Sequence, residues 1–126
     1  MYPSLQNYQK TLEEKIASST PENLMVMLYE GMVTRIKQAK ERFNAGQKVK
    51  AHESAIRAMK IADALMENLN MDAGGEVADN LEKIYFFIIS QLSKSIRSEE
   101  PLSYWDSVLK VLAPLVEGWQ KLAEKK

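Results

Sequence analysis

Cysteine is absent from this chain of 126 residues, which rules out a disulfide framework, a cysteine-ligated zinc or iron–sulfur centre and a thiol nucleophile together. Histidine occurs once, at His52. A two-histidine zinc motif therefore cannot form, and neither can a bundle di-metal site built from repeated Glu-x-x-His. A Ser-His-Asp arrangement would have to recruit His52 from the middle of an alanine-rich helix. Gly74-Gly75 has neither the preceding strand nor the Lys-Ser/Thr of a phosphate loop. No enzyme, metal or cofactor is expected. Long uncharged apolar runs of the roughly 20 residues needed to span a bilayer are also missing, and the N-terminal Met-Tyr-Pro-Ser-Leu-Gln-Asn-Tyr lacks the features of a signal segment. The expectation is a cytoplasmic protein without membrane insertion. Lys and Arg number 17 and so do Asp and Glu, so no global field draws the chain to nucleic acid.

What the chain does have is apolar spacing in steps of three and four, with Val and Ile inside helical stripes instead of short alternating runs. It reads as all-α, and its length suits one domain. Thr20 is placed to cap, Pro21 to occupy the first helical position and Glu22 to face the positive end of the dipole. A first helix is expected over about 21–44, with Leu24, Leu28, Met32, Ile36, Ala39 and Phe43 as its seam and Gly46 after its end. A second helix over about 48–70 has two stripes. Ala51, Ala55, Ala58, Ala62, Leu65 and Leu69 allow close approach of a neighbour, while Val49, His52, Ile56, Met59, Asp63 and Met66 suit an edge or groove.

Gly74-Gly75 reads as a helix terminator, opening a third helix over about 75–98. That helix carries Val77, Leu81, Ile84, Ile88 and Leu92 on one face, with Ala78, Tyr85, Ile89 and Ile96 beside it. The fourth, over about 101–124, opens at Pro101, repeats Leu102, Trp105, Leu109, Leu112, Val116, Trp119 and Ala123, and is expected to kink at Pro114. Residues 1–19 carry only the thin stripe Leu5, Tyr8, Leu12 and Ile16, which predicts a short helix or mobile arm that can dock on the bundle or leave it.

Several features have a plain and a sharper reading. His52 as a partly packed helical residue is preferred to a pH-sensitive contact, Asp63 as a solvated carboxylate to a groove marker, and Trp105 and Trp119 as core anchors to ligand stackers. The basic residues between Arg35 and Lys60 suggest RNA binding, but Phe43 is the one aromatic beside them, and a solvated basic end is preferred. The methionines say more. Six of the seven fall between positions 25 and 71, and thioethers suit both irregular gaps and grooves for a partner helix. Met25, Val26, Met27, Tyr29 and Val33 lie off the Leu24–Leu28–Met32 seam. Such surplus apolar surface must be covered by another copy, the N-terminal arm or a partner peptide.

Three blocks resemble the FliS family of flagellin export chaperones. Thr20-Pro21-Glu22-Asn23-Leu24 leads into Leu28-Tyr29-Glu30-Gly31, and Gly74-Gly75-Glu76-Val77-Ala78-Asp79-Asn80-Leu81 is followed by Ile84-Tyr85. Trp119 near the end and Tyr8 in the arm add to the match, which covers essentially the whole chain. The resemblance implies an antiparallel up-and-down four-helix bundle with an additional N-terminal helix or arm. It also implies binding of the flagellin C-terminal segment in apolar grooves, protection from premature polymerisation and delivery to the flagellar type III export gate. It further implies that the arm competes for the groove. Combined with the surplus apolar positions, it nominates Tyr8, Met25, Met27, Tyr29, Ile56, Met59, Met66, Tyr85 and Ile89 as partner-binding. The rival expectation is a structural or homo-oligomeric bundle whose extra face is covered by a second copy, with a weak homodimer as its mildest form.

Overall fold

A computed structural model of the chain describes residues 20–124. Four helices follow one another: α1 (Pro21–Asn44), α2 (Lys48–Glu67), α3 (Met71–Ile96) and α4 (Leu102–Glu124). Each packs on its sequence neighbours and α4 closes back onto α1, so α1 stands diagonally across the core from α3, and α2 from α4. No strand occurs among the described residues. The architecture is an up-and-down four-helix bundle.

Local chemistry sets the ends of the helices. At the start of α1 the Asn23 N–H donates to Thr20 Oγ1 at 3.2 Å, with Pro21 at the first helical position. At its end the Gln47 N–H reaches the Arg42 carbonyl at 2.8 Å and the Gly46 N–H reaches Phe43 at 3.0 Å, with Gly46 at φ 81°. These two bonds close a left-handed C-terminal cap that turns the chain into α2. The second helix stops earlier than expected, at Glu67, because Asn68 Nδ2 donates to the Ala64 carbonyl at 2.8 Å. Asn70 then caps α3 by accepting the Ala73 N–H at 3.1 Å.

Gly74-Gly75 ends a short opening turn of α3 that begins at Met71: Gly75 leaves helical geometry at φ 53° and ψ −132°, and the main run of the helix continues beyond this kink. A Cβ on Gly74 would sit 2.4 Å from the Ala78 Cβ, so the pair makes a kink that no larger residue fits. The last helix runs on through Pro114 without a break.

Burial corrects the phase of two expected stripes. On α1 the enclosed residues are Tyr29, Met32, Ile36 and Ala39, whereas Leu24 and Leu28 are half-buried. Tyr29 precedes Met32 by three residues and Ile36 by seven, so it belongs to their face. On α3 the enclosed residues are Ala78, Tyr85, Ile88, Leu92 and Ser95, while Val77, just past the kink, is 67% exposed. The alanine stripe of α2 is buried from Ala51 to Leu65 as its spacing predicts. Trp105, Val108 and Leu112 supply α4's share of the core.

Two polar layers cross this core. At one end the Trp105 indole N–H donates to Ser95 Oγ at 3.0 Å, and Ser95 Oγ donates to the Leu92 carbonyl at 2.6 Å. Phe43 and His52 meet the Trp105 ring edge-on at centroid distances of 5.9 and 6.0 Å. At the other end the hydroxyls of Tyr29 and Tyr85 lie 2.6 Å apart across the α1–α3 diagonal. Trp119 packs on Tyr29 at a centroid distance of 6.3 Å. Both layers tie helices that are not adjacent, which restricts how the bundle can slide.

Candidate partner-binding groove

Alanines on the inner face of α2 leave its bulkier side chains on the flank towards α3. Ile56, Met59 and Met66 share that flank and are all half-buried. Opposite them on α3 stands Phe86, 67% exposed, with half-buried Ile89 one turn on. Met66, Phe86, Glu82 and Lys83 line a depression of about 410 Å³ between the two helices. Helix α3 turns Tyr85 and Ile88 inward, and Phe86, about 100° round from Tyr85, falls outside that face. Phe87 is itself 37% exposed.

The eight expected partner-binding residues that are described do not form one surface. Ile56, Met59, Met66 and Ile89 come together at the α2–α3 flank. Tyr29 and Tyr85 are corrected to the core, with 0% and 1% exposure; each hydroxyl finds its partner in the other ring, which lets a polar tip be buried at low cost. Met25 packs against the core cluster. Met27 is half-buried on the side of α1 opposite to Tyr29, away from α2's methionines. Tyr8, with the rest of the arm, lies outside the described residues. Phe86 was missed by the stripe reading, although its signal, two consecutive phenylalanines in a helix, was present in the sequence.

A second apolar depression, of about 310 Å³, lies between α1 and α4, lined by Val33, Leu109, Ala113 and Val116 with Lys37, Glu117 and Gln120 at its rim. Its apolar side chains are less exposed: Val33, Leu109 and Val116 are half-buried where Phe86 stands out into solvent. The Gln120 amide donates to Glu30 at 2.8 Å, and Lys40 pairs with Asp106, so polar links cross this seam. The α2–α3 flank has no such link among the described residues. It is the more open of the two.

Titration in the bundle concentrates on the tyrosine pair and not on the groove. Burial raises the Tyr29 hydroxyl well above the ordinary tyrosine range, and the bond to Tyr85 raises it further. Burial also raises Tyr85, while its bond to Tyr29 acts the other way. Either hydroxyl can donate in this bond. Among the described residues the buried His52 Nδ1 finds no hydrogen-bond partner, and its ring lies against Trp105. Asp63 is exposed. Among the described residues no group of three or more His, Asp or Glu could hold a metal ion, and no helix is long and apolar enough to cross a membrane. The arrangement suits apolar capture.

Comparison with known proteins gives concordant results. The family model described as flagellar protein FliS matches residues 4–126. The flagellar secretion chaperone FliS of Vibrio cholerae is 26% identical over 123 residues, covering 97% of this chain and 90% of its own. The flagellar secretion chaperone FliSB of Pseudomonas aeruginosa is 27% identical over 124 residues, covering 95% of each. The flagellar secretion chaperone FliS of Salmonella typhimurium is 26% identical over 118 residues, covering 93% of this chain and 87% of its own.

Proposed function

The chain belongs to the FliS family of flagellar proteins, and from that premise we propose that it is a flagellar export chaperone holding the C-terminal segment of flagellin in the apolar groove between α2 and α3. The observation that carries this reading is Phe86, a large aromatic ring 67% exposed beside Met66 on a bundle whose core is otherwise filled. Apolar rings left in water beside a concavity mark a partner site. The groove's methionines adapt to a partner helix without a unique fit.

The mechanism is stoichiometric binding in the cytoplasm. A disordered segment loses entropy when it is ordered on the bundle, at a cost of about 2–5 kcal/mol. Each large apolar side chain that becomes buried returns roughly 1.5–3 kcal/mol, so two or three anchors along Phe86, Met66 and Met59 offset that cost and further contacts supply affinity. Sequestering the segment prevents premature polymerisation, and the complex is delivered to the flagellar type III export gate. No bond is made or broken and no nucleotide is consumed. Tyr8 and its stripe on the N-terminal arm act as a competitor for the same groove.

Calorimetric titration with a peptide from the C-terminus of the same organism's flagellin tests the reading. The expected result is about one peptide per chain with a clearly negative heat-capacity change. No heat and no complex at micromolar concentrations would overturn it. A tight dimer of the free protein that ignores the peptide would instead favour burial of the same face by a second copy.

A further inference from the structure

The groove between α2 and α3 is apolar in the middle and carries opposite charge at its two ends. Since the helices are consecutive and antiparallel, the last turns of α2 share an end of the bundle with the first half of α3. There Asp63 and Glu67 on α2 lie alongside Asp79 and Glu82 on α3, all four exposed, with Lys83 the opposing cation at the depression. At the opposite end Lys48 opens α2 while Lys94 and Arg97 close α3, again exposed, with Glu53 and Glu99 the opposing carboxylates. Among the described residues none of Asp63, Glu67, Asp79, Glu82, Lys48, Lys94 and Arg97 takes part in an ion pair.

Helical spacing keeps these groups beside the apolar floor. Asp63 follows Met59 by four residues and Glu82 precedes Phe86 by four, so each carboxylate stands one turn from an anchor on the same flank. Glu82 itself lines the depression with Phe86 and Met66. A helix lying there meets negative potential at one end and positive potential at the other. Its own dipole, positive at the N-terminus, is stabilised in one direction only.

We propose that the α2–α3 groove reads the direction of the segment it binds, accepting an amphipathic helix laid parallel to α3, with Lys or Arg beside its N-terminal apolar anchors and Asp or Glu beside its C-terminal ones. This rests on the groove assignment above and adds the polarity and charge pattern of the occupant. Exposed ion pairs are individually weak, and three or four together with the dipole give a directional preference on the order of ten- to a hundredfold at low salt. The apolar anchors supply the affinity and the charges choose the orientation. Because the charges are exposed, the preference fades once salt shortens the screening length to about 3 Å near 1 M.

The test uses the full chain and a synthetic flagellin C-terminal peptide bearing a nitroxide at its N-terminus, read by paramagnetic broadening of backbone amide signals. Broadening is expected around Asp63, Glu67 and Glu82, with Lys48 and Lys94 unaffected. The triple variant Asp63→Lys, Glu67→Lys, Glu82→Lys should keep its helical circular dichroism, bind the peptide about tenfold or more weakly at low salt, and match the parent in 1 M NaCl. Broadening at the Lys48 and Lys94 end, equal broadening at both ends, or unchanged low-salt affinity of the triple variant overturns the directional proposal and leaves the groove standing. Broadening confined to α1 and α4, or no binding at all, overturns both.

Discussion

The 2.6 Å bond between the hydroxyls of Tyr29 and Tyr85 makes an asymmetric prediction for mutagenesis. Tyr85→Phe removes the bonding partner of a hydroxyl on a residue with 0% exposure. A buried polar group stripped of its partner costs about 1–3 kcal/mol. Tyr29→Phe orphans the other hydroxyl and should cost a similar amount. The double variant replaces both partners by apolar rings of the same shape, and such replacement is close to neutral. The two single costs therefore should not add, and the shortfall should be at least about 1 kcal/mol. For a chain of this size each kcal/mol corresponds to about 3–6 °C in Tm. Urea denaturation followed by circular dichroism gives the four free energies. Trp119 fluorescence reports locally, because that ring packs on Tyr29. A double variant costing the sum of the singles, or neutral single variants, would refute the pairing. Alkali provides a second readout. In the unfolded chain both tyrosines ionise near pH 10, while burial keeps the folded hydroxyls protonated to higher pH. Stability contributed by the pair is fully present below about pH 10 and falls above it, by up to about 1.4 kcal/mol per pH unit for each tyrosine. The double phenylalanine variant should lose that alkaline slope.

Ser95→Ala removes the acceptor of the buried Trp105 indole N–H and should cost about 1–3 kcal/mol, with an altered near-ultraviolet dichroism from Trp105; an unchanged melting curve would contradict this. Phe86→Ser should leave the fold intact within about 0.5 kcal/mol yet weaken the flagellin peptide roughly 5- to 30-fold, since an exposed ring becomes buried only in the complex; equal loss of helicity would show that Phe86 belongs to the core. Gly75→Ala forces a Cβ onto a residue at φ 53° and should cost about 1–2 kcal/mol, read as a lower Tm. A variant as stable as the parent would argue against the α3 kink.

The sequence by itself determined the helices and most of their ends. Thr20 with Pro21, and Gly46 after Phe43, act within one turn of the chain, so residue type and spacing are enough to read them. The alanine face of α2 was legible for the same reason. So was the composition that leaves no cysteine and one histidine. Asn70 and Gly74-Gly75 each signal a boundary, and the structure uses both: Asn70 caps a short opening turn and Gly75 breaks helical geometry before the main run of α3.

Tertiary structure decided which of two neighbouring stripes faces inward. Tyr29 and Tyr85 are 56 residues apart, and nothing local says that their hydroxyls meet. Without that partner each tyrosine reads as a surface residue, because a lone buried hydroxyl is costly. Once the diagonal pair takes them into the core, the candidates for the groove are exposed Phe86 and half-buried Met66 and Met59. The groove is a difference between what four helices can bury together and what each helix carries, and that difference exists only after the bundle has closed.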